Sequence, residues 1–219
     1  IKNPLTAIKA YTELIPEQMG DEEFLRAFFE TVPKETERIN GLIESLINYA
    51  RPIRGIMAEV ELSQLILDCV ALMSPIAKRT GVTIKFIYDS QITIYAYVDQ
   101  LRQAIINYLM NSIESLAVKK RETTSEDLGV EVRLYKAEKG DRIIISIFDN
   151  GIGMTKTNIK RCMEPFFTTK AKGTGMGMAI ALQGINESGG DVTVDSKKDH
   201  YTRIQIEFNL SGEENFRRS

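Results

Sequence analysis

Between Leu25 and Ile47 the residues Leu25, Phe28, Phe29, Val32, Ile39, Leu42, Ile43, Leu46 and Ile47 recur at helical spacing. A helix carrying so long an apolar stripe needs an equally long apolar surface to bury it. With about 29 residues at 1.5 Å each it extends roughly 43 Å. Upstream, Ile1 to about Pro16 reads as a second helix with Leu5, Ile8, Tyr11, Leu14 and Ile15 near one face; its length is only about 25 Å. Gly20 ends the turn between them and Asp21 is placed to cap the long helix. Pro33 is expected to kink that helix and Arg51-Pro52 to end it. An antiparallel hairpin of such unequal arms leaves half the stripe uncovered. Two remedies follow: a partner chain covers it, and the first helix continues upstream of Ile1.

From about Leu62 the pattern changes. Ser63 can cap a helix running to about Arg79, with Leu65, Ile66, Cys69, Leu72, Met73 and Ile76 inward and Gly81 as its stop. Val82–Tyr88 and Ile92–Tyr97 alternate like strands. A helix follows from Val98 to about Lys119. Val130–Ala137 and Arg142–Phe148 form a strand pair turned at Lys139-Gly140-Asp141. A short helix near Lys156–Met163 and a longer one over Gly177–Glu187 come next. Gly189-Gly190 breaks the latter, and Asp191–Ser196 with Tyr201–Asn209 makes a final hairpin. Helices segregated from mostly antiparallel strands indicate an α+β fold: a helical hairpin followed by a two-layer α/β sandwich. The implied divisions are a hairpin over 1–52, a linker over 53–61, a sandwich over 62–210 and a disordered tail over 211–219.

A net charge of −2 with interspersed charges gives no footprint for nucleic acid. Cys69 and Cys162 fit no metal spacing and read as free, buried thiols of a reducing compartment. No apolar run approaches the ~20 residues that span a bilayer. The expectation is a cytoplasmic fragment whose parent could still be anchored in the cell membrane.

Four short motifs carry the chemistry. Asp149-Asn-Gly-Ile-Gly153 follows the apolar strand Ile143–Phe148. A carboxylate at a strand end is acceptor-only and can take a hydrogen bond from an exocyclic amine such as adenine N6. Adjacent glycines let the backbone approach a flat ring. The bland alternative is a turn, for which Asp-Asn-Gly is a common sequence. Gly173-Thr-Gly-Met-Gly177 opens a helix, where free N–H groups suit phosphate oxygens, and Lys170 and Lys172 add positive charge. It is neither a Walker A loop nor a dinucleotide fingerprint, since no Gly-Lys-Ser/Thr follows and no strand precedes it. Asn107 and Asn111 share a helix face, where an amide oxygen can ligate Mg²⁺. The fourth motif, Glu164-Pro-Phe-Phe-Thr-Thr-Lys170, reads alone as a hydrophobic loop anchor.

In order and spacing these motifs resemble the N, G1, F and G2 boxes of sensor histidine kinases. Residues from about 60 to 210 resemble the ATP-binding domain shared by histidine kinases, gyrase, Hsp90-type chaperones and mismatch-repair ATPases. The resemblance implies ATP and Mg²⁺ as cofactors. It assigns Asn107 and Asn111 to the nucleotide site, with Asn111 at the Mg²⁺-phosphate position, and Asp149 to adenine. Gly151 and Gly153 shape the base pocket. Gly173, Thr174, Gly175, Met176 and Gly177 belong to a mobile lid with Lys170 and Lys172. Thr202 matches a threonine that supports adenine through water. ATP-hydrolysing members carry a glutamate where this chain has Asn107, which cannot act as a base, so the nucleophile must come from elsewhere. Glu114 and Ser115 depart from the common kinase pattern near the phosphates.

Ile1-Lys-Asn-Pro-Leu-Thr-Ala-Ile-Lys9 resembles the downstream half of the H box, His-Glu-x-x-Asn-Pro-Leu. The resemblance then implies an acceptor histidine just upstream of Ile1, Asn3 at a position that can orient water for dephosphorylating a partner, and Pro4 as a helix-bending proline. It further implies a homodimer through residues 1–50 and phosphoryl transfer to an aspartate of a response regulator receiver domain. A protein inhibitor of the hairpin is a further partner of this kind. The flavour is that of sporulation kinases of bacilli. The rival readings are a non-phosphorylating ATP-binding scaffold and an ATPase of the same superfamily. His200, the one histidine present, reads as structural, and Met163, Met176 and Met178 as packing residues.

Overall fold

The computed structural model describes residues 2–50, 56–122, 127–137, 141–170 and 173–209. The expected stop at Arg51-Pro52, the turn residues Lys139 and Gly140, Lys172 and the tail lie outside these residues. The described chain divides into two compact units. One holds the helical hairpin together with Phe166–Met176; the other holds the remainder.

In the first unit, α1 spans Lys2–Gln18 and α2 spans Glu22–Ala50. Helix α1 continues past the expected end at Pro16, because a proline in the last turn removes only one donor. Helix α2 runs without a break through Pro33. Asp21 caps α2: its Oδ1 accepts from the N–H groups of Glu23 (2.8 Å) and Phe24 (3.3 Å). Tyr11 of α1 packs on Phe24 and Phe28 with ring centroids 5.8 and 6.2 Å apart. Phe24, just ahead of the expected stripe, is buried, and of the stripe itself only Leu42 is: Phe29 is 70% exposed and Ile47 47%.

The second unit begins with strand β1 (Ala58–Glu61), inside the stretch read as linker. It pairs antiparallel with β3 (Thr93–Ala96). Helix α3 (Leu62–Thr80) is capped by Glu61, not Ser63. The Glu61 carboxylate accepts from the N–H groups of Ser63 (2.9 Å) and Gln64 (3.0 Å), and also from the Ser63 hydroxyl. Ser63 thus becomes a buried first-turn residue. Gly81 ends the helix in the left-handed region at φ 67°. Leu65, Ile66, Cys69 and Met73 are buried as expected, whereas Leu72 is 61% exposed. Leu72 lies at the margin of the stripe, about 100° around the helix from Met73 and about 20° from Leu65.

Strands β2 (Thr83–Tyr88), β4 (Gly129–Lys136), β5 (Arg142–Asp149), β6 (Gly190–Lys197) and β7 (Tyr201–Asn209) form one sheet in the order β2-β4-β5-β7-β6. All neighbours are antiparallel except β2 and β4. Helices α3, α4 (Val98–Glu122) and α6 (Gly177–Glu187) build the second layer, and α5 (Lys156–Arg161) is short. Alternate residues Val130, Val132 and Leu134 of β4, Ile143, Ile145 and Ile147 of β5, and Ile204 and Ile206 of β7 face the core. Tyr108, Leu109, Ile105 and Leu116 of α4 close it from the helix side. This is the expected α+β arrangement of a helical hairpin and a two-layer sandwich. Cys69 and Cys162 are free and buried.

Candidate functional site

Strand β5 ends at Asp149, and the face of α4 opposite presents hydroxyls where its neighbours are apolar. Ser112 Oγ donates to Asp149 Oδ2 at 3.0 Å and Ser115 Oγ to Oδ1 at 3.3 Å. The Gly151 N–H donates to Oδ1 at 3.0 Å. Asp149 is only 2% exposed. Burial is the larger influence and pushes its pKa up to about 6, although these three donors and the Lys119 charge oppose the shift. Two carboxylate oxygens offer about four acceptor positions. Three are filled here, leaving acceptor capacity on a buried group.

The loop after Asp149 lies too close to its surroundings for side chains. A Cβ on Gly151 would sit 2.1 Å from Ser115 Oγ and 2.6 Å from Asp149 Oδ1. Gly153 has φ 59°, and a Cβ there would meet the Lys197 carbonyl oxygen at 2.1 Å. Thr202 of β7 is buried and directly opposite Asp149 in the strand register. Its hydroxyl lies 3.1 Å from Ser196 Oγ, which donates to the Tyr201 carbonyl (2.7 Å) and accepts from the Met154 N–H (2.8 Å). Asp149, Gly151, Gly153 and Thr202 are therefore brought together by the sheet.

Asn150 and Lys119 tie the loop down. The Asn150 amide donates to the Asp127 carbonyl (2.6 Å) and its Oδ1 accepts from the Gly129 N–H (3.0 Å). Lys119 Nζ reaches the carbonyl oxygens of Asn150 (2.6 Å) and Gly151 (3.1 Å), and those of Asp199 and His200 (3.3 and 3.5 Å). The sequence pattern does not single out Ser112, Ser115 and Lys119 for these contacts. Their spacing of three, then four, on one helix face is the signal that marks them as a set.

Asn107 and Asn111 lie on α4, both half-buried. Asn107 Nδ2 donates to the Gly177 carbonyl at 3.1 Å, holding the start of α6 against α4. Among the described residues no group of three or more His, Cys, Asp or Glu side chains could hold a metal ion. The donor set fits Mg²⁺ only as an ion that brings most of its ligands as phosphate oxygens and water, with one amide oxygen from the chain.

Lys170, Gly173, Thr174, Gly175 and Met176 belong to the first unit and are not grouped with Asp149. Within that segment Gly175 has φ 70°, and a Cβ on it would come within 2.4 Å of the Phe166 carbonyl carbon. The Gly173 N–H donates to the Lys170 carbonyl (3.2 Å), and the Lys170 N–H to Thr168 Oγ1 (3.0 Å). Met176 is buried and Met178 packs against the core. Asn3 lies in α1; its side chain, like Lys172, falls outside the described residues. His200 is exposed in the β6–β7 turn.

Residues 96–212 match the family described as histidine kinase-, DNA gyrase B-, and HSP90-like ATPase. The chain belongs to this family. Residues 1–62 match the His Kinase A (phospho-acceptor) domain. Among curated relatives, sporulation kinase E of Bacillus subtilis (strain 168) is 31% identical over 94% of this chain and 27% of its own length. Sporulation kinase A of the same organism is 32% identical over 95% of this chain and 32% of its length. Signal transduction histidine-protein kinase AtoS of Escherichia coli (strain K12) is 29% identical over 90% of this chain and 31% of its length. The chain thus spans about a third of the length of these relatives. Among solved structures, histidine kinase ThkA in complex with response regulator protein TrrA superposes with a TM-score of 0.71 at 19% identity, over 94% of this chain and 57% of that one. Acinetobacter baumannii histidine kinase AdeS gives 0.64 at 14% identity, over 95% and 96%. At these identities the structures share the fold. No helix among the described residues is long and apolar enough to cross a membrane.

Proposed function

We propose that this chain is the core of a sensor histidine kinase. It binds Mg-ATP and transfers the γ-phosphoryl group to a histidine just upstream of Ile1. That group then passes to an aspartate of a response regulator receiver domain. The observation that carries the reading is Asp149, a buried carboxylate with acceptor capacity left over at the end of β5. An adenine N6 amine supplies the missing donor, and Gly151 leaves the loop low enough for the ring. Thr202 and Ser196 line the register position beside it. Asn111 offers an amide oxygen to the ion that accompanies the phosphates. Asn107 holds α6 and has no basic group with which to activate water, which supports transfer over hydrolysis. Lys170 and Lys172, with Gly173, Thr174, Gly175, Met176 and Gly177, act as the lid, and their backbone and charge suit phosphate oxygens.

The hairpin supports a homodimer through residues 1–50. Within one chain Phe29, Ile43, Leu46 and Ile47 stay exposed along α2, and a second hairpin buries them in a four-helix bundle. Titration of the chain with Mg-ATP tests the nucleotide reading. Saturable binding that is weakened at least tenfold by Asp149→Asn and by Asn111→Ala is expected. Equal affinity in both variants contradicts these assignments.

A further inference from the structure

We propose that Lys119 is a positioning residue for the nucleotide pocket, its ammonium drawing the Asn150–Gly151 loop and the Asp199–His200 turn onto a single charge. The proposal deepens the nucleotide-binding reading and rests on it for its functional consequence. A lysine ammonium has three N–H donors and no acceptor. Here it faces four backbone carbonyl oxygens, two from each of two segments far apart in sequence, at 2.6, 3.1, 3.3 and 3.5 Å. Four inward carbonyls are the environment that desolvates and holds a small monovalent cation. The lysine places such a cation at the end of α4 without any ion having to bind.

Both clasped segments flank Asp149. The loop supplies the Gly151 N–H to its carboxylate, and the Ile152 N–H donates to Ser115 Oγ at 3.1 Å, itself bonded to that carboxylate. The turn precedes Thr202, the register partner of Asp149. The segments are joined otherwise by the Asp199 N–H donating to the Ile152 carbonyl at 2.6 Å. Without the ammonium, four carbonyl dipoles converge with no counter-charge, and the loop and turn separate. Asp149 then loses both its nearest positive charge and the geometry of its donors. The other charged or titratable groups on the turn are Lys198, paired with Asp199 at 4.0 Å, Asp199 itself and His200, all exposed.

The test compares wild type, Lys119→Met, which keeps length and apolar stem, and Lys119→Arg, which keeps the charge. Amide exchange in the nucleotide-free chain is read at Gly151, Ile152 and Asp199, together with Mg-ATP titrations across pH. The Met variant is expected to exchange at least tenfold faster at these amides and to bind Mg-ATP at least tenfold more weakly. The pH midpoint of its binding moves upward. The Arg variant recovers most of both losses. Exchange and affinity within twofold of wild type in the Met variant overturn the proposal, as does an Arg variant no better than Met. If the Met chain does not fold, Lys119→Gln carries the same criteria. If wild type binds no Mg-ATP, the nucleotide reading fails, and the exchange rates alone decide whether the clasp exists.

Discussion

Replacing Asp149 by Asn is expected to make the nucleotide-free chain more stable at pH 8 while it loses its nucleotide affinity. Burial raises the folded pKa of this carboxyl from 3.8 to about 6, with the donors Gly151, Ser112 and Ser115 and the charge of Lys119 holding it lower than burial alone would. Because the folded value is raised, the stability contributed by the protonated carboxyl is fully present below about pH 3.8. It is lost as pH rises through about 6. At 1.36 kcal/mol per unit the loss amounts to about 3 kcal/mol, on a group that is 2% exposed and so little screened. The neutral amide keeps an oxygen for Gly151 and Ser115 but carries no such pH dependence. Urea unfolding of both chains without nucleotide, from pH 4 to pH 8, measures the difference. The gap in favour of the Asp149→Asn chain should widen by up to about 3 kcal/mol between pH 4 and pH 7 and then stay level. A gap independent of pH, or one that widens in favour of the wild type, refutes the reasoning.

Gly153→Ala places a Cβ against the Lys197 carbonyl at a positive φ, so a loss of about 2 kcal/mol or more in unfolding free energy is expected; a loss under about 0.5 contradicts the geometry. Tyr108 Oη is buried with no hydrogen-bond partner among the described residues, so Tyr108→Phe should be neutral or stabilising by about 1 kcal/mol in the same assay. Light scattering at tens of micromolar should return twice the mass of the extended chain once the first helix is lengthened upstream, and a monomer there contradicts the dimer.

Much of the fold could be read from periodicity. The bounds of α6 and β7 and the Asp21 cap follow from a glycine-started apolar helix, strict alternation and a carboxylate before an acidic first turn. The misses have physical causes. Glu61 caps α3 because its longer side chain folds back onto Ser63, although glutamate is not a favoured cap. Leu72 is apolar but lies about 90° from the centre of the stripe, at a margin it shares with Leu65, where helical period alone does not decide burial. Strand β1 has only four residues and gains its identity from β3, a long-range pairing that no local pattern announces. In the candidate site, Asp149, Gly151, Gly153 and Thr202 were named through the family resemblance, and the strand register and loop contacts bring them together. Ser112, Ser115 and Lys119 were not legible, because hydroxyls and a lysine on a helix read as solvated surface until β5 is placed beneath them.

Phosphoryl labelling bears most directly on the account. The chain extended upstream of Ile1, given Mg-ATP labelled at the γ-phosphate, should acquire acid-labile phosphate on a histidine of the added segment. Replacing that histidine or making Asp149→Asn should abolish the label, and His200→Ala should leave it intact. Label that forms on the unextended chain and disappears in His200→Ala would contradict the account, because the reacting centre would then lie on the β6–β7 turn.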